Sequence, residues 1–300
     1  MGEKKFAVYL NANAKRVSPK VIEYIEELIE PSDIYFTKSL DESAFATEKI
    51  LNKGYRTVFA GGGDGTVMQF INSLARVCPS PENGAAGAAE MRNYLPNLGI
   101  LSLGTGNAIG RLVSSGSALS DLKVFVSNPS LDVEPLSLVE SEGRLFFFGG
   151  FGWDAEILND YRHLKEKYGE TRLKPVFQNV GGYFASALGV TVPRKVYKFF
   201  KKDNLKVKIT VSGGTAYEVG KDGGMGRRFL SSECIYEGDC NACLVGTIPF
   251  FGYGMKLLPF AAKHREFMHL RVSRISTIKA LANLHSLWKG EYVSDDLKDF

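Results

Sequence analysis

The sequence predicts an α/β amino-terminal domain built on a parallel sheet, followed by a mainly antiparallel β domain. Three observations carry this expectation. Over residues 1–128 short apolar runs alternate with amphipathic stretches, the rhythm of strands and crossover helices that cover a parallel sheet on both faces. Near Asn128-Pro129 the texture changes, and strand patterns then dominate. The length of 300 residues suits two domains of roughly 100–200 residues each. The expected division is therefore 1–128 and 129–300.

The elements follow in order. Phe6 to Leu10 reads as a strand. Ser18-Pro19 opens a helix, with a Ser cap before Pro at the first helical position. Val21, Ile22, Ile25, Leu28 and Ile29 then recur at helical spacing. Ile34 to Phe36 is a second strand. Ser39-Leu-Asp-Glu42 resembles a capping box and starts a helix to about Asn52. Thr57 to Ala60 forms a third strand and Thr66 to Ala75 a third helix. Between Arg76 and Asn97 the Pro/Gly/Ala-rich stretch reads as a long surface loop. Leu98 to Leu103 is a fourth strand, followed by a fourth helix.

Beyond residue 128 the expected strands are Leu136–Val139, Leu145–Phe148, Leu205–Val211, Ala242–Val245 and Met268–Val272. Leu205 to Val211 alternates strictly, as a half-buried strand does. One helix, about Val176 to Leu188, interrupts them.

Composition excludes several classes. Hydrophobic residues make up 44% and charged residues 23%, which is ordinary for a globular chain and excludes a mainly disordered one. No apolar run reaches the ~18 residues of a membrane span. Met1-Gly-Glu-Lys-Lys-Phe6 is too polar for a signal peptide and lacks the Ser/Thr of a myristoylation site. Four cysteines do not make a disulfide framework. These features predict a cytoplasmic protein without a transmembrane segment. With 37 Lys+Arg against 33 Asp+Glu, the net charge of +4 is too small to imply nucleic acid, and no nucleic-acid motif is present.

Glycine is high, 32 residues or about 11% against a usual ~7%, and its placement matters. Gly61-Gly-Gly-Asp-Gly-Thr66 lies between a strand and a helix. Such a turn lets backbone approach a ligand closely and aims helix N–H groups at an anion. Asp64 sets a carboxylate there, which suits Mg²⁺ binding or proton abstraction from an attacking hydroxyl. Leu103-Gly-Thr-Gly-Asn107 repeats the arrangement after the fourth strand. Two such loops outweigh the bland alternative of tight turns. Neither loop fits the Walker A pattern, which needs Gly-Lys-Ser/Thr, and neither fits the dinucleotide fingerprint well, because Thr66 stands where a third Gly belongs.

Gly61-Gly-Gly-Asp-Gly-Thr66 followed by Gly104-Thr-Gly-Asn107 resembles the diacylglycerol kinase catalytic-domain family, which includes bacterial lipid kinases and sphingosine kinases. Gly152-Trp-Asp-Ala-Glu156, Tyr183-Phe-Ala185 and the stretch from Phe251 to Ala261 are similar to later family segments. The first motif is also shared with NAD kinases. The resemblance implies a nucleotide-binding α/β domain, a β-sandwich-like lipid-substrate domain, ATP and Mg²⁺. It implies transfer of the γ-phosphoryl group to a hydroxyl of diacylglycerol or a long-chain base. Gly61, Gly62, Gly63, Asp64, Gly65, Thr66, Gly104, Thr105, Gly106 and Asn107 would then hold the nucleotide. Asp64 would bind metal or act as the base, and Asp154 would meet the polar head of the lipid. The setting implied is the cytoplasm and, peripherally, the inner face of the membrane.

The sequence departs from the family in places. Ala108 stands where many bacterial members carry Asp; sphingosine kinases also carry Ala there. Lys263 to Met268 lacks the Asp-Gly of an accessory metal site. Lys289-Gly-Glu291 resembles the family's Asp-Gly-Glu only superficially and reads as the Gly ending a helix. A C-terminally shortened member is therefore expected. Two rival readings remain: a catalytically silent nucleotide- or lipid-binding homologue, and a NAD kinase. Cys240 and Cys243, with Cys234 upstream, read as buried thiols rather than a metal site. Arg194 to Lys202 mixes five basic residues with three aromatics, a composition that suits anionic lipid heads or a solvated strand face.

Overall fold

The computed structural model describes residues 6–77, 95–113, 117–128, 133–168, 193, 205–264 and 266–300, with the side chains of residues 154 and 165 outside the description. The helix expected over 176–188, the motif at 183–185, the basic segment 194–202 and most of the loop at 78–94 lie outside the described residues. The chain divides into two compact units.

Unit one comprises residues 1–135, 140–146 and 252–254. Its sheet has four parallel strands in the order β2-β1-β3-β4: β1 (Phe6–Asn11), β2 (Ile34–Thr37), β3 (Thr57–Gly62) and β4 (Asn97–Ser102). Helices α1 (Pro19–Leu28), α2 (Leu40–Lys53) and α3 (Asp64–Val77) follow the first three strands. After β4 come a single turn, α4 (Gly110–Val113), and then α5 (Ala118–Ser127). The expected α/β alternation is thus present.

The caps explain the starts of the helices. Ser18 Oγ accepts from Val21 N–H and begins α1. Ser39 Oγ accepts from Glu42 N–H at 3.1 Å, while the Glu42 carboxylate accepts from Lys38 N–H at 2.6 Å. This is a capping box shifted by one residue at its return bond. Gly54, in the left-handed region at φ 67°, closes α2.

Alternation along β1 sorts the core. Val8 and Leu10 pack with Ile25, Phe59, Leu122 and Phe125, the side served by α1 and α5. Tyr9, between them, stacks on Phe70 of α3 at 4.8 Å and donates its hydroxyl to Ser43 of α2.

Two expected strands differ in the structure. Only Val139 of the stretch 136–139 is in a strand, β5 (Val139–Ser141), which pairs with β6 (Arg144–Phe146). Glu142 and Gly143, both at positive φ (52° and 71°), make the tight hairpin turn that fixes this register. The run 145–148 splits at Phe147, because β7 (Phe148–Gly152) leaves the hairpin to pair with another strand. Asn72 of α3 anchors β6 in unit one, bonding both the N–H and the carbonyl of Leu145.

Unit two comprises residues 136–139, 147–251 and 255–300. Its larger sheet is antiparallel in the order β10-β9-β14-β13-β12-β7, with β9 (Thr215–Val219), β10 (Met225–Leu230), β12 (Ala242–Gly246), β13 (His269–Ser273) and β14 (Leu297–Asp299). A two-stranded sheet, β8 (Leu205–Thr210) with β11 (Cys234–Cys240), packs against it through Val207, Ile209, Cys240, Cys243, Val272 and Leu270. The sandwich-like, antiparallel character expected of this half is present. Helix α6 (Trp153–Tyr168) follows β7, and α7 (Thr277–Ala282) and α8 (Leu284–Lys289) lie between β13 and β14.

Inside this unit Asp299 takes a two-pronged contact from Arg271 (2.6 and 2.9 Å) and a third bond from His269 at 2.9 Å. Burial pushes the Asp299 carboxyl up, but the His269 and Arg271 bonds and charges outweigh it and hold the group below the usual carboxylate value. Cys240 and Cys243 are buried packing groups, and burial pushes the Cys243 thiol up to about 12; Cys234, expected to be buried with them, is exposed at the start of β11. Gly290, at φ 74°, caps α8 as the sequence suggests.

Candidate active site

The strand order places the topological switch of the sheet between β1 and β3. In such sheets ligands bind outside the carboxyl ends of the strands at that switch. Both glycine loops emerge on this edge, since β3 and β4 are parallel neighbours.

The first loop is compact. β3 runs to Gly62 and α3 begins at Asp64, two residues earlier than the pattern suggests. The Gly63 carbonyl accepts the N–H groups of Thr66 and Val67 and so caps the helix. The amides of Asp64 and Gly65, in the first turn, have no acceptor within the helix. A side chain is excluded at three neighbouring positions. A Cβ on Gly61 would stand 2.3 Å from Leu10, one on Gly62 would stand 2.3 Å from Thr66 Oγ1, and one on Gly104 would stand 2.2 Å from Gly63 Cα. The two loops therefore touch backbone to backbone. Gly65 differs, because a Cβ there would meet nothing within 4 Å. Its surroundings are open.

Asp64 joins the loops. Its Oδ1 accepts the Ile109 N–H at 3.0 Å. Its Oδ2 lies 3.2 Å from where a Cβ on Gly106 would stand. Thr105 is exposed at the tip of the second loop. Asn107 sits in the left-handed region at φ 48° and donates from Nδ2 to the carbonyls of Ser102 and Gly104. Its Oδ1 is buried with no partner among the described residues.

The structure therefore brings together Gly61 to Thr66 and Gly104 to Asn107. Asp154 belongs to the other unit, as the second residue of α6; its side chain lies outside the described residues.

Sequence reasoning missed a set of polar residues at the ends of β1 and β2. Asn11 Nδ2 donates to Thr66 Oγ1 at 3.0 Å, and Asn13 Nδ2 donates to the Lys38 carbonyl at 2.9 Å. Asn11, Thr37, Lys38, Ser39, Gly65 and Thr66 help to line a cavity of about 270 Å³. The amino ends of α2 and α3 both reach it, so two helix dipoles present their positive ends there. Asn11 and Thr37 each close a strand pattern with a polar side chain. That signal becomes readable once the strand order is known.

These features suit a nucleotide. The first-turn amides that have no acceptor within the helix and the open side of Gly65 favour phosphate. For Mg²⁺ the two loops offer one carboxylate, Asp64. Among the described residues no three His, Cys, Asp or Glu side chains gather as a metal site. One carboxylate fits an ion held chiefly by phosphate oxygens and water.

Residues 6–134 match the family model for the diacylglycerol kinase catalytic domain. A diacylglycerol kinase of Staphylococcus epidermidis is 31% identical over 97 residues, which are 32% of this chain and 26% of that protein. A diacylglycerol kinase of Staphylococcus aureus is 26% identical over 121 residues, 40% of this chain and 34% of that protein. The matches thus span about a quarter to a third of these curated relatives. A crystal structure of a diacylglycerol kinase from Bacillus anthracis superposes with a TM-score of 0.59 at 16% identity, covering 99% of this chain and 83% of that one.

Proposed function

Residues 6–134 belong to the diacylglycerol kinase catalytic-domain family, and on that premise we propose that the protein is an ATP- and Mg²⁺-dependent lipid kinase. It moves the γ-phosphoryl group of ATP to a lipid hydroxyl. The observation that carries this reading is the pair of abutting glycine loops with the Asp64 carboxylate fixed between them.

In this reading the nucleoside enters the cavity beside Asn11, Thr37 and Lys38, and the phosphates lie on the amino end of α3. Phosphoryl transfer asks the protein for positioning and charge neutralisation more than for covalent chemistry. The amides of Asp64 and Gly65 supply oriented dipoles. Gly61, Gly62, Gly63 and Gly104 let the two loops close on each other and on the residues behind them, and Gly65 leaves the approach to the amides open. Asp64 would hold Mg²⁺ through Oδ2 or take the proton of the attacking hydroxyl. The ion, when bound, neutralises phosphate charge.

The lipid is read as diacylglycerol or a long-chain base, with Asp154 near its polar head. A cavity of about 520 Å³ in unit two, walled by Ile209, Val211, Phe260 and Phe300 together with Lys263 and His264, is of a size for a ligand with both apolar and polar parts. No helix of the described residues is long and apolar enough to cross a membrane; peripheral contact at the inner membrane face is part of the same proposal.

The test is phosphate transfer from labelled ATP to diacylglycerol or sphingosine in vesicles. Asp64→Asn should lower the rate about 10²- to 10⁴-fold, and chelation of Mg²⁺ should abolish it. Equal rates for wild type and Asp64→Asn would refute the role of Asp64. ATP binding without transfer would favour a silent homologue, and phosphorylation of NAD in vesicle-free solution a NAD kinase.

A further inference from the structure

A third glycine-flanked turn meets the second glycine loop. Gly252-Tyr253-Gly254 forms a single tight turn that belongs to unit one. The Tyr253 N–H donates to the Gly106 carbonyl at 3.4 Å. Gly252 Cα lies 3.6 Å from where a Cβ on Gly106 would stand, and Asp64 Oδ2 lies 3.2 Å from the same point. Gly106 thus bonds the turn and lies beside the Asp64 carboxylate. The Arg111 guanidinium closes on the turn as well, 3.0 Å from where a Cβ on Gly254 would stand.

The residue at the centre of this turn is the unexpected one. Tyr253 holds φ 63° and ψ 16°, the left-handed region that an L side chain adopts only at a cost. Glycine flanks it on both sides. A third glycine would take the same backbone without strain and would still supply the N–H that bonds Gly106. The turn itself therefore has no need of a tyrosine. What the tyrosine adds is its phenol, on a half-buried residue, a neutral donor at physiological pH whose pKa burial raises further. Backbone strain of this kind clusters at functional sites.

We infer that Tyr253 is a binding residue for the phosphate end of the nucleotide, beside Asp64 and the second glycine loop. The inference rests on the kinase reading above and adds to it a residue outside both glycine motifs. It sets Tyr253 apart from the nucleoside cavity at Asn11 and Lys38, so its effect falls on ATP and spares adenosine.

The experiment compares wild type, Tyr253→Gly and Tyr253→Phe by binding of a fluorescent ATP analogue, by displacement of that analogue with adenosine, and by thermal unfolding. Tyr253→Gly should unfold at the same temperature or higher, since it relieves strain. It should bind the ATP analogue about tenfold or more weakly, the range for a hydrogen bond to a charged group, with adenosine affinity unchanged. Tyr253→Phe should share the loss, because the hydroxyl is the donor. In turnover, the KM for ATP should rise while the KM for lipid stays constant.

Wild-type affinity for the ATP analogue in Tyr253→Gly overturns the inference. So does an equal loss for ATP and adenosine, or a loss that goes with a lowered unfolding temperature, since either marks a structural role. Wild type that binds ATP but transfers no phosphate to lipid refutes the kinase reading and leaves the assignment of Tyr253 standing. Wild type that binds no ATP overturns both.

Discussion

Gly104→Ala gives the sharpest test of the two-loop site. A Cβ at Gly104 would stand 2.2 Å from Gly63 Cα, 2.7 Å from Gly63 N and 2.9 Å from Asn107 Oδ1. Ordinary contact begins near 3.4 Å, so the loops must part by roughly 1.2 Å, the difference 3.4 − 2.2. The obstructing atoms are mostly backbone, and Gly63 cannot rotate out of the way because its carbonyl caps α3. Overpacking of this kind costs about 1–3 kcal/mol, which lowers the unfolding temperature by several degrees. The functional loss should be larger than the stability loss, since a displacement of ~1 Å in a site costs ~10²-fold. Thermal unfolding and binding of a fluorescent ATP analogue read the two effects separately. If Gly104→Ala unfolds and binds the analogue as wild type does, the loops do not form a joint cradle.

Gly65→Ala is the complementary case: its methyl meets nothing within 4 Å, so helix propensity should raise stability by about 0.5–1 kcal/mol, while ATP affinity falls because the methyl fills the open approach to the first-turn amides; urea unfolding and nucleotide titration check both signs. Asn72→Ala removes two bonds to the Leu145 backbone and leaves polar groups unpaired, for a loss of about 1–3 kcal/mol in urea unfolding. Arg271→Met leaves Asp299 buried with one partner fewer, and destabilisation of about 3–5 kcal/mol is expected. The folded-state pKa of Asp299 is depressed below 3.8, so its stabilisation is full above that value and is lost as pH falls through the lower folded-state pKa. Wild type should therefore show a steeper acid unfolding below about pH 4 than Asp299→Asn, with circular dichroism as the measurement.

Much of this molecule was legible in the chain. The strands of the parallel sheet, the Ser18 and Ser39 caps and the two glycine loops all rest on local rules of periodicity, capping and close backbone approach. The errors were also local in origin. Leu136 to Val139 reads as a strand by composition, but the register of that segment is set three residues later by the Glu142-Gly143 turn. The run from Leu145 to Phe148 is divided because its two ends pair with different strands. The helix Trp153–Tyr168 and strands β9, β10, β11 and β14 carry weak patterns and take their form from their partners.

The sequence by itself determined the α/β rhythm, the change of texture after residue 128, and two glycine loops after strands, with Asp64 in the first. Each depends on residues close together in the chain, where conformational preference acts directly. Only the tertiary structure decided which distant residues share the site. Strand order brings Asn11 to Thr66 across 55 positions, seats Gly104 on Gly63, and returns the Gly252–Gly254 turn to Gly106. Such contacts leave no periodic trace, because they follow from strand order and chain return rather than from any local run of residues. The glycines mark where backbone must come close, and the fold determines to what.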